Sequence, residues 1–258
     1  MDFKADFETI VGVLRKEGPV ICHFTNYLIG ESCADATLAS GAFPIFGDMY
    51  DDKSEIPADA MLFTANILTP KKITAMTKAA ENAKGKGIPV ILDLGGIMTS
   101  SIWFCFARKL LEEGYISIAH GSQNECEAFI GNNAGEALKT AKDAATKFKS
   151  VFIVSGGANN ISNGKQTIVL NNRQPMLNDI NCASALISTL CACCSAVTKD
   201  MFSAAVFGVV VLEQAAELAA NLIEKKDGPG MYKVRLFDGI YHITTKWEVI
   251  NFNSTKQN

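Results

Sequence analysis

The chain is poor in histidine, in net charge and in long apolar runs, and each shortage removes a class of function. Three histidines occur in 258 residues, all far in sequence from the cysteine cluster at Cys191, Cys193 and Cys194. A structural zinc site needs a second ligand pair beside such a cluster, so no zinc centre is expected. A formal net charge of −3 leaves no basic footprint for nucleic acid or for an anionic membrane surface. Apolar stretches are broken by polar residues before they reach the ~20 positions of a membrane span, so no spanning helix is expected. The opening Met-Asp-Phe-Lys-Ala-Asp-Phe-Glu has neither the basic nor the apolar segment of a secretory signal, and none is expected there. Internal repeats and low-complexity linkers are missing too, so residues 1–258 are expected to form a single domain.

What is present is core-forming material. A hydrophobic content of 48% is enough for a chain of this length to bury roughly 70–75% of its unfolded surface. Eight cysteines in a long, apolar, helix-rich chain read as reduced thiols packed as small hydrophobes, with the cytoplasm as the expected compartment.

Short apolar runs alternate with helical spacing along the chain. Phe7, Ile10, Val11 and Leu14 mark a helix over about Phe3 to Lys16. Strands are expected at Pro19 to Phe24, Pro44 to Phe46, Ala60 to Thr64, Ile88 to Asp93, Ile116 to Ala119 and Val151 to Ser155. Helices are expected at Asn26 to Ser40, Pro70 to Gly85, Thr99 to Glu113, Asn124 to Ile130, Glu136 to Phe148, and Met201 to Lys225, with a last one after Asp227-Gly-Pro-Gly. An acidic loop spans Asp48 to Glu55, and an Asn163-Gly164 turn leads into an antiparallel addition at Lys165 to Leu170. At Asn181 a polar segment stops and a small-residue apolar run begins, which marks a buried helix start. This rhythm predicts an α/β fold with a mainly parallel central sheet and helices on both faces. Ligands of such folds bind beyond the carboxyl ends of the strands. Five junctions lie there: Thr25-Asn26, Asp93 to Thr99, His120 to Glu125, Ser155-Gly156, and Asn178 to Cys182.

Several segments share one order with a known family. They are the Val20 to Tyr27 strand and turn, Gly41-Ala-Phe-Pro, Pro89-Val-Ile-Leu-Asp-Leu-Gly-Gly, Gly228-Pro-Gly-Met-Tyr and Leu236-Phe-Asp-Gly-Ile-Tyr. Together they resemble the hydroxyethylthiazole kinase family, a thiamine-salvage branch of the ribokinase-like fold, from about Pro19 to Ile243. The resemblance implies ATP-dependent phosphorylation of the alcohol of 4-methyl-5-(2-hydroxyethyl)thiazole, with Mg²⁺ and ATP, in a homotrimer whose sites lie at subunit boundaries. It places Glu125 and Asp93 at the metal. It places His120, Gly121, Ser155 and Gly156 at the nucleotide, and Asn26, Phe46 and Asn178 at the acceptor.

Departures from the family pattern concentrate at the reacting end. His120 stands where the family carries an Arg that grips phosphate bidentately. Ser122 replaces an Asn, and Asn159 replaces an Asp. The Thr-Gly-Thr-Gly-Cys cradle falls on Leu177 to Asn181 without a gap, or on Asn178 to Cys182 with a one-residue deletion. Either way its glycines are gone, and Asp179 and Ile180 stand where backbone amides would converge on an anion. Three residues therefore compete as the base: Cys182 in the family's position, Asp179, and Asn181, which cannot take a proton at neutral pH. Alternatives stay open: Glu125 as a helix-N-terminal carboxylate, Asp93 as a helix cap, Cys182 as a small buried residue. The same departures leave open a kinase of another small alcohol, or a binding protein without turnover.

Overall fold

The computed structural model describes residues 3–49, 55–65, 67–131, 135–171, 174–245 and 254–257. The middle of the expected acidic loop, residues 50–54, lies outside them.

Parallel pairing joins β1 (Val20–Phe24), β2 (Phe43–Phe46), β3 (Ala60–Phe63), β4 (Val90–Asp93), β5 (Ile118–Ser122) and β6 (Val151–Ser155). Antiparallel pairing adds β7 (Asn159–Ser162), β8 (Thr167–Leu170) and β9 (Ser254–Gln257). The sheet order is β2-β1-β3-β4-β5-β6-β7-β8-β9. The strand at Asn159–Ser162 is not expected from the sequence, because Asn-Asn opens it and strands are depleted in Asn. Nor is β9.

Helices α1 (Phe3–Glu17) and α2 (Tyr27–Ser40) cover one face together with α7 (Ala183–Ser195), α8 (Met201–Asn221) and α9 (Pro229–Thr245). On the other face lie α3 (Pro70–Lys86), α4 (Ser101–Glu112), α5 (Gln123–Ile130) and α6 (Ala137–Phe148). Strand alternation divides the core between them. Ile21, Leu62, Ile91, Ile118, Ile153 and Ile161 face α7 and α8, whereas Cys22, Phe63, Leu92, Ala119 and Phe152 face the other layer.

One expectation about apolar length needs correction. Met201–Asn221 is 21 residues long with a mean hydropathy of 1.5, which by length and composition is enough to cross a membrane. Yet 83% of its apolar window is buried inside the protein. It is the central helix of its layer, wedged between α7 and α9. Gly208 makes that wedge possible: a side chain there would stand 2.6 Å from the Cys191 backbone nitrogen.

Candidate active site

Side-chain alternation explains why the site exists. Asp93 follows Ile91 by two, His120 follows Ile118 by two, Ser155 follows Ile153 by two, and Asn159 precedes Ile161 by two. Each therefore points to the face that α7 and α8 cover. Four polar side chains from four neighbouring strands converge under two apolar helices, and a buried polar group must find partners.

They find one another. Asp93 is 3% exposed and His120 1%. Gly95 N–H donates to Asp93 Oδ1 at 2.8 Å, Ser188 Oγ to Asp93 Oδ2 at 2.8 Å, and Ser184 Oγ to the same oxygen at 3.3 Å. His120 Nδ1 lies 3.0 Å from Ser188 Oγ and 3.7 Å from Asp93 Oδ2. His120 Nε2 lies 2.7 Å from Ser155 Oγ, which donates to Asn159 Oδ1 at 2.7 Å. Asn159 Nδ2 donates to Glu213 Oε1, again at 2.7 Å. Burial alone would raise the Asp93 carboxyl, but the His120 ring, the Ser188 hydroxyl and the Gly95 amide outweigh it and hold the group below its ordinary value.

This arrangement bears on two expectations. The His120 side chain is turned inward with both ring nitrogens engaged, so it has no donor left to grip a phosphate as an Arg would. Asp93 has both oxygens engaged in the interior, by Gly95 N–H on one side and by Ser184 and Ser188 on the other.

Glu125 stands at the rim. Its Oε2 accepts from Ser122 N–H at 2.8 Å and from Ser122 Oγ at 2.8 Å, while Ser122 Oγ accepts from Glu125 N–H at 3.4 Å. This is a capping box at the start of α5, the alternative kept open for it. The same carboxylate also accepts from Gly96 N–H at 3.1 Å, tying the β4 turn to α5. Gly121 allows that approach, since a Cβ there would lie 2.9 Å from Leu94 Cβ. A half-exposed, oxygen-only group at the mouth fits a hard cation held mainly by phosphate and water. Among the described residues no three His, Cys, Asp or Glu side chains are grouped to cage a metal alone.

On the acceptor side, Asn26 Nδ2 donates to Ala65 O at 2.8 Å, and its Oδ1 caps α2 by accepting from Leu28 N–H at 2.9 Å. Phe46 is half-buried over Gly30 and 5.9 Å from the His23 ring. Asn178, Asp179 and Asn181 are exposed on a tight 3-10 turn, Pro175–Asp179, and the link that follows it.

The polar-to-apolar switch does open a helix. The first backbone bond of α7 runs from Leu186 N–H to Cys182 O at 3.0 Å. Cys182 caps it without a side-chain hydrogen bond, so the amides ahead of that bond have no intrahelical partner. Cys182 itself is left-handed, φ 71°, one of two non-glycine residues with positive φ among those described. A β-carbon in that region costs roughly 1–2 kcal/mol. Cys182→Gly should therefore raise unfolding free energy by about 1 kcal/mol in urea titration while deleting the thiol; an unchanged or lower midpoint would refute the strain.

Sequence reading missed Ser184, Ser188 and Glu213. The spacing of the two serines, four apart at the start of an apolar helix, was a usable signal, and so was a lone carboxylate in Val-Val-Val-Leu-Glu-Gln-Ala-Ala. A cavity of about 90 Å³ lies among His120, Ser155, Asn159, Ser184 and Glu213. Larger grooves, about 570 and 540 Å³, run past Ile116 and Lys149 at the amino ends of the strands, away from all five junctions.

Comparisons with known proteins identify the fold and the family. A hydroxyethylthiazole kinase from Thermoanaerobacter pseudethanolicus is 31% identical over 91% of this chain and 94% of its own length. One from Methanococcus maripaludis is 30% identical over 95% of both. The structure of a hydroxyethylthiazole kinase protein from Pyrococcus horikoshii superposes with a TM-score of 0.86 at 24% identity, covering 98% of this chain and 99% of that one. The fold is thus the ribokinase-like one. The sequence model of the hydroxyethylthiazole kinase family matches residues 11–246, nearly the whole of the sheet and both helical layers, and this chain belongs to that family.

Proposed function

We propose that the protein transfers the γ-phosphoryl group of ATP to the alcohol of 4-methyl-5-(2-hydroxyethyl)thiazole, a step of thiamine salvage, with Mg²⁺ and in the cytoplasm. The observation that carries the reading is the uncapped start of α7 facing the Asp93–His120–Ser155 cluster at the carboxyl edge of the sheet, in a chain of this family.

Phosphoryl transfer asks chiefly for positioning and for charge stabilisation at the transferring group. The amides at the start of α7 and its dipole favour an anion. Glu125 would hold Mg²⁺ from the rim, and the bound ion would supply charge neutralisation for the phosphates. Cys182 is the base we assign, at the start of α7 in the family's position. Asp179, exposed beside the same turn, is its competitor. Eight free thiols among the described residues accord with a reducing compartment. Purified protein with Mg-ATP and the thiazole alcohol should yield the phosphate ester by mass spectrometry. No ester at micromolar enzyme, with ATP bound, would leave another alcohol as substrate; no ATP binding by calorimetry would leave a protein without turnover.

We assign a homotrimer as the working unit. Tyr27 is 96% exposed, Leu28 83% and Ile67 80%, and the Asn26–Ala65 bond holds their two segments together beside the acceptor side of the site. Large apolar groups so placed call for a cover. Light scattering should give the mass of three chains. Tyr27→Glu with Leu28→Glu should reduce it to one, and a monomeric natural chain would overturn the assignment.

A further inference from the structure

One peptide group in the turn after β4 is held from both ends. Gly95 and Gly96 share it. Its carbonyl, Gly95 O, accepts from the indole Nε1 of Trp103 at 3.2 Å. Its amide, Gly96 N–H, donates to Glu125 Oε1 at 3.1 Å. A peptide group is planar, with carbonyl and N–H on opposite sides, so the indole that fixes one fixes the direction of the other. The flanking residues would not do so alone. A Cβ at position 95 would stand 2.7 Å from Asp93 Oδ1, which accepts from Gly95 N–H, and Gly96 is left-handed, φ 81°. Between two residues without a Cβ, rotation of the plane meets little steric resistance, and a half-turn would aim the carbonyl oxygen at the Glu125 carboxylate. Trp103 itself is firmly placed. It is 1% exposed, its backbone N–H donates to Ser100 Oγ at 3.2 Å, and its ring packs beside Phe106.

We propose that Trp103 is a positioning residue for the metal end of the site: its indole pins the Gly95–Gly96 peptide, and Gly96 N–H then sets the direction in which Glu125 presents its carboxylate. Few acceptor sites are left on that group. A carboxylate has two oxygens with about four lone-pair sites. Oε2 accepts from Ser122 N–H and from Ser122 Oγ, and Oε1 accepts from Gly96 N–H. One lone pair remains, on Oε1, so Glu125 can meet a cation through a single oxygen whose bearing the peptide fixes. Groups that orient a metal's ligand govern affinity along with the ligand itself. The ion's place here rests on the reading of Glu125 proposed above; the pinned peptide does not.

Two variants separate the bond from the packing. Trp103→Phe keeps an aromatic ring and deletes the N–H. Phe106→Leu, beside the same indole, loosens the packing and leaves the N–H in place. NMR of the protein without metal or nucleotide reads the peptide directly. The Gly96 amide proton, bound to a carboxylate, should lie downfield in the natural chain. In Trp103→Phe it should move upfield and exchange with water about fivefold faster, whereas Phe106→Leu should leave both properties unchanged. Thermal melting of each variant shows that it is folded. In the kinase assay, the Mg²⁺ concentration for half-maximal turnover at fixed ATP should rise about tenfold in Trp103→Phe and keep its natural value in Phe106→Leu. A Gly96 amide that Trp103→Phe does not move, a response shared by both variants, or a freed amide with an unchanged Mg²⁺ requirement would overturn the proposal. A natural chain whose Gly96 amide sits at its unbonded position would do so without any variant. Should the natural chain show no Mg²⁺-dependent turnover, the amide still decides whether the indole pins the peptide, and it is the metal reading of Glu125 that falls.

Discussion

Asp93→Ala should cost the fold about 3–5 kcal/mol with no nucleotide or metal present, since it leaves several buried donors without an acceptor at about 1–3 kcal/mol each. The reason lies in what remains behind. His120 Nδ1 would lose the carboxylate that lies 3.7 Å away, Ser188 and Ser184 would lose their acceptor, and Gly95 N–H would lose its own. Asp93→Asn should cost less, since an amide oxygen still accepts from one side. A metal ligand at the rim behaves differently: removing it lowers activity and costs the empty enzyme no more than the local hydrogen bonds it makes. Urea unfolding of the apo protein separates these cases. A stability loss under about 1 kcal/mol for Asp93→Ala would return Asp93 to the metal. Glu125, with its carboxylate half-exposed in a capping box, is expected to lose only about 1 kcal/mol as Ala, while losing turnover.

That contrast between the two carboxylates marks how far the sequence alone carries. The sheet and its helices were legible because periodicity is a local property: Val-Ile-Cys-His-Phe and Val-Ile-Leu-Asp read as buried strands wherever they are placed. The junctions were legible too, since strand ends are the binding edge of such folds. What each polar residue does there was less so. Whether Asp93 looks outward to an ion or inward to Ser188 depends on which helix covers its face, and Ser188 is 95 residues away. Strand parity would have decided the face: Asp93 shares it with Ile91, His120 with Ile118. Glu213 was invisible because an acidic residue in an apolar helix reads as a flaw until its partner on a neighbouring strand is known. The strand carrying that partner, Asn159–Ser162, was itself unanticipated.

The turn before α7 illustrates the same limit differently. Two registers were open for the family's cysteine, Asn181 and Cys182. Cys182 caps α7 in left-handed geometry, the conformation for which glycine is the usual choice. The glycines expected for an anion cradle are missing ahead of it, and the left-handed bend falls on the cysteine. Asp179 and Asn181 are exposed around it, so an incoming phosphate meets an acid at the rim and amides at the helix start.

His23→Leu should make the protein resistant to acid. His23 is buried in β1 against α2. Thr37 Oγ1 donates to Cys33 O at 2.8 Å, so it meets His23 Nε2 at 3.1 Å with a lone pair, and the ring proton sits on Nε2. Nδ1 is buried without a partner. Burial lowers the imidazole from 6.5 to about 4, so the folded chain refuses a proton that the unfolded chain accepts. Unfolding therefore takes up a proton between these values, and stability falls as pH drops through the window; above 6.5 the whole contribution is present. The loss approaches roughly 3 kcal/mol on the acid side. A leucine side chain in place of the imidazole would remove the titration and the orphaned nitrogen together, and Thr37 would keep its bond to Cys33 O. Near pH 7.5 the variant should match the natural chain within about 1 kcal/mol, and at pH 4.5 it should exceed it by about 2. Asp93 cannot mimic this, because its carboxyl is lowered from 3.8 and its contribution is lost only at more acid pH. Denaturant midpoints measured across the window decide the matter: parallel profiles for the two proteins would assign the acid sensitivity to some other group.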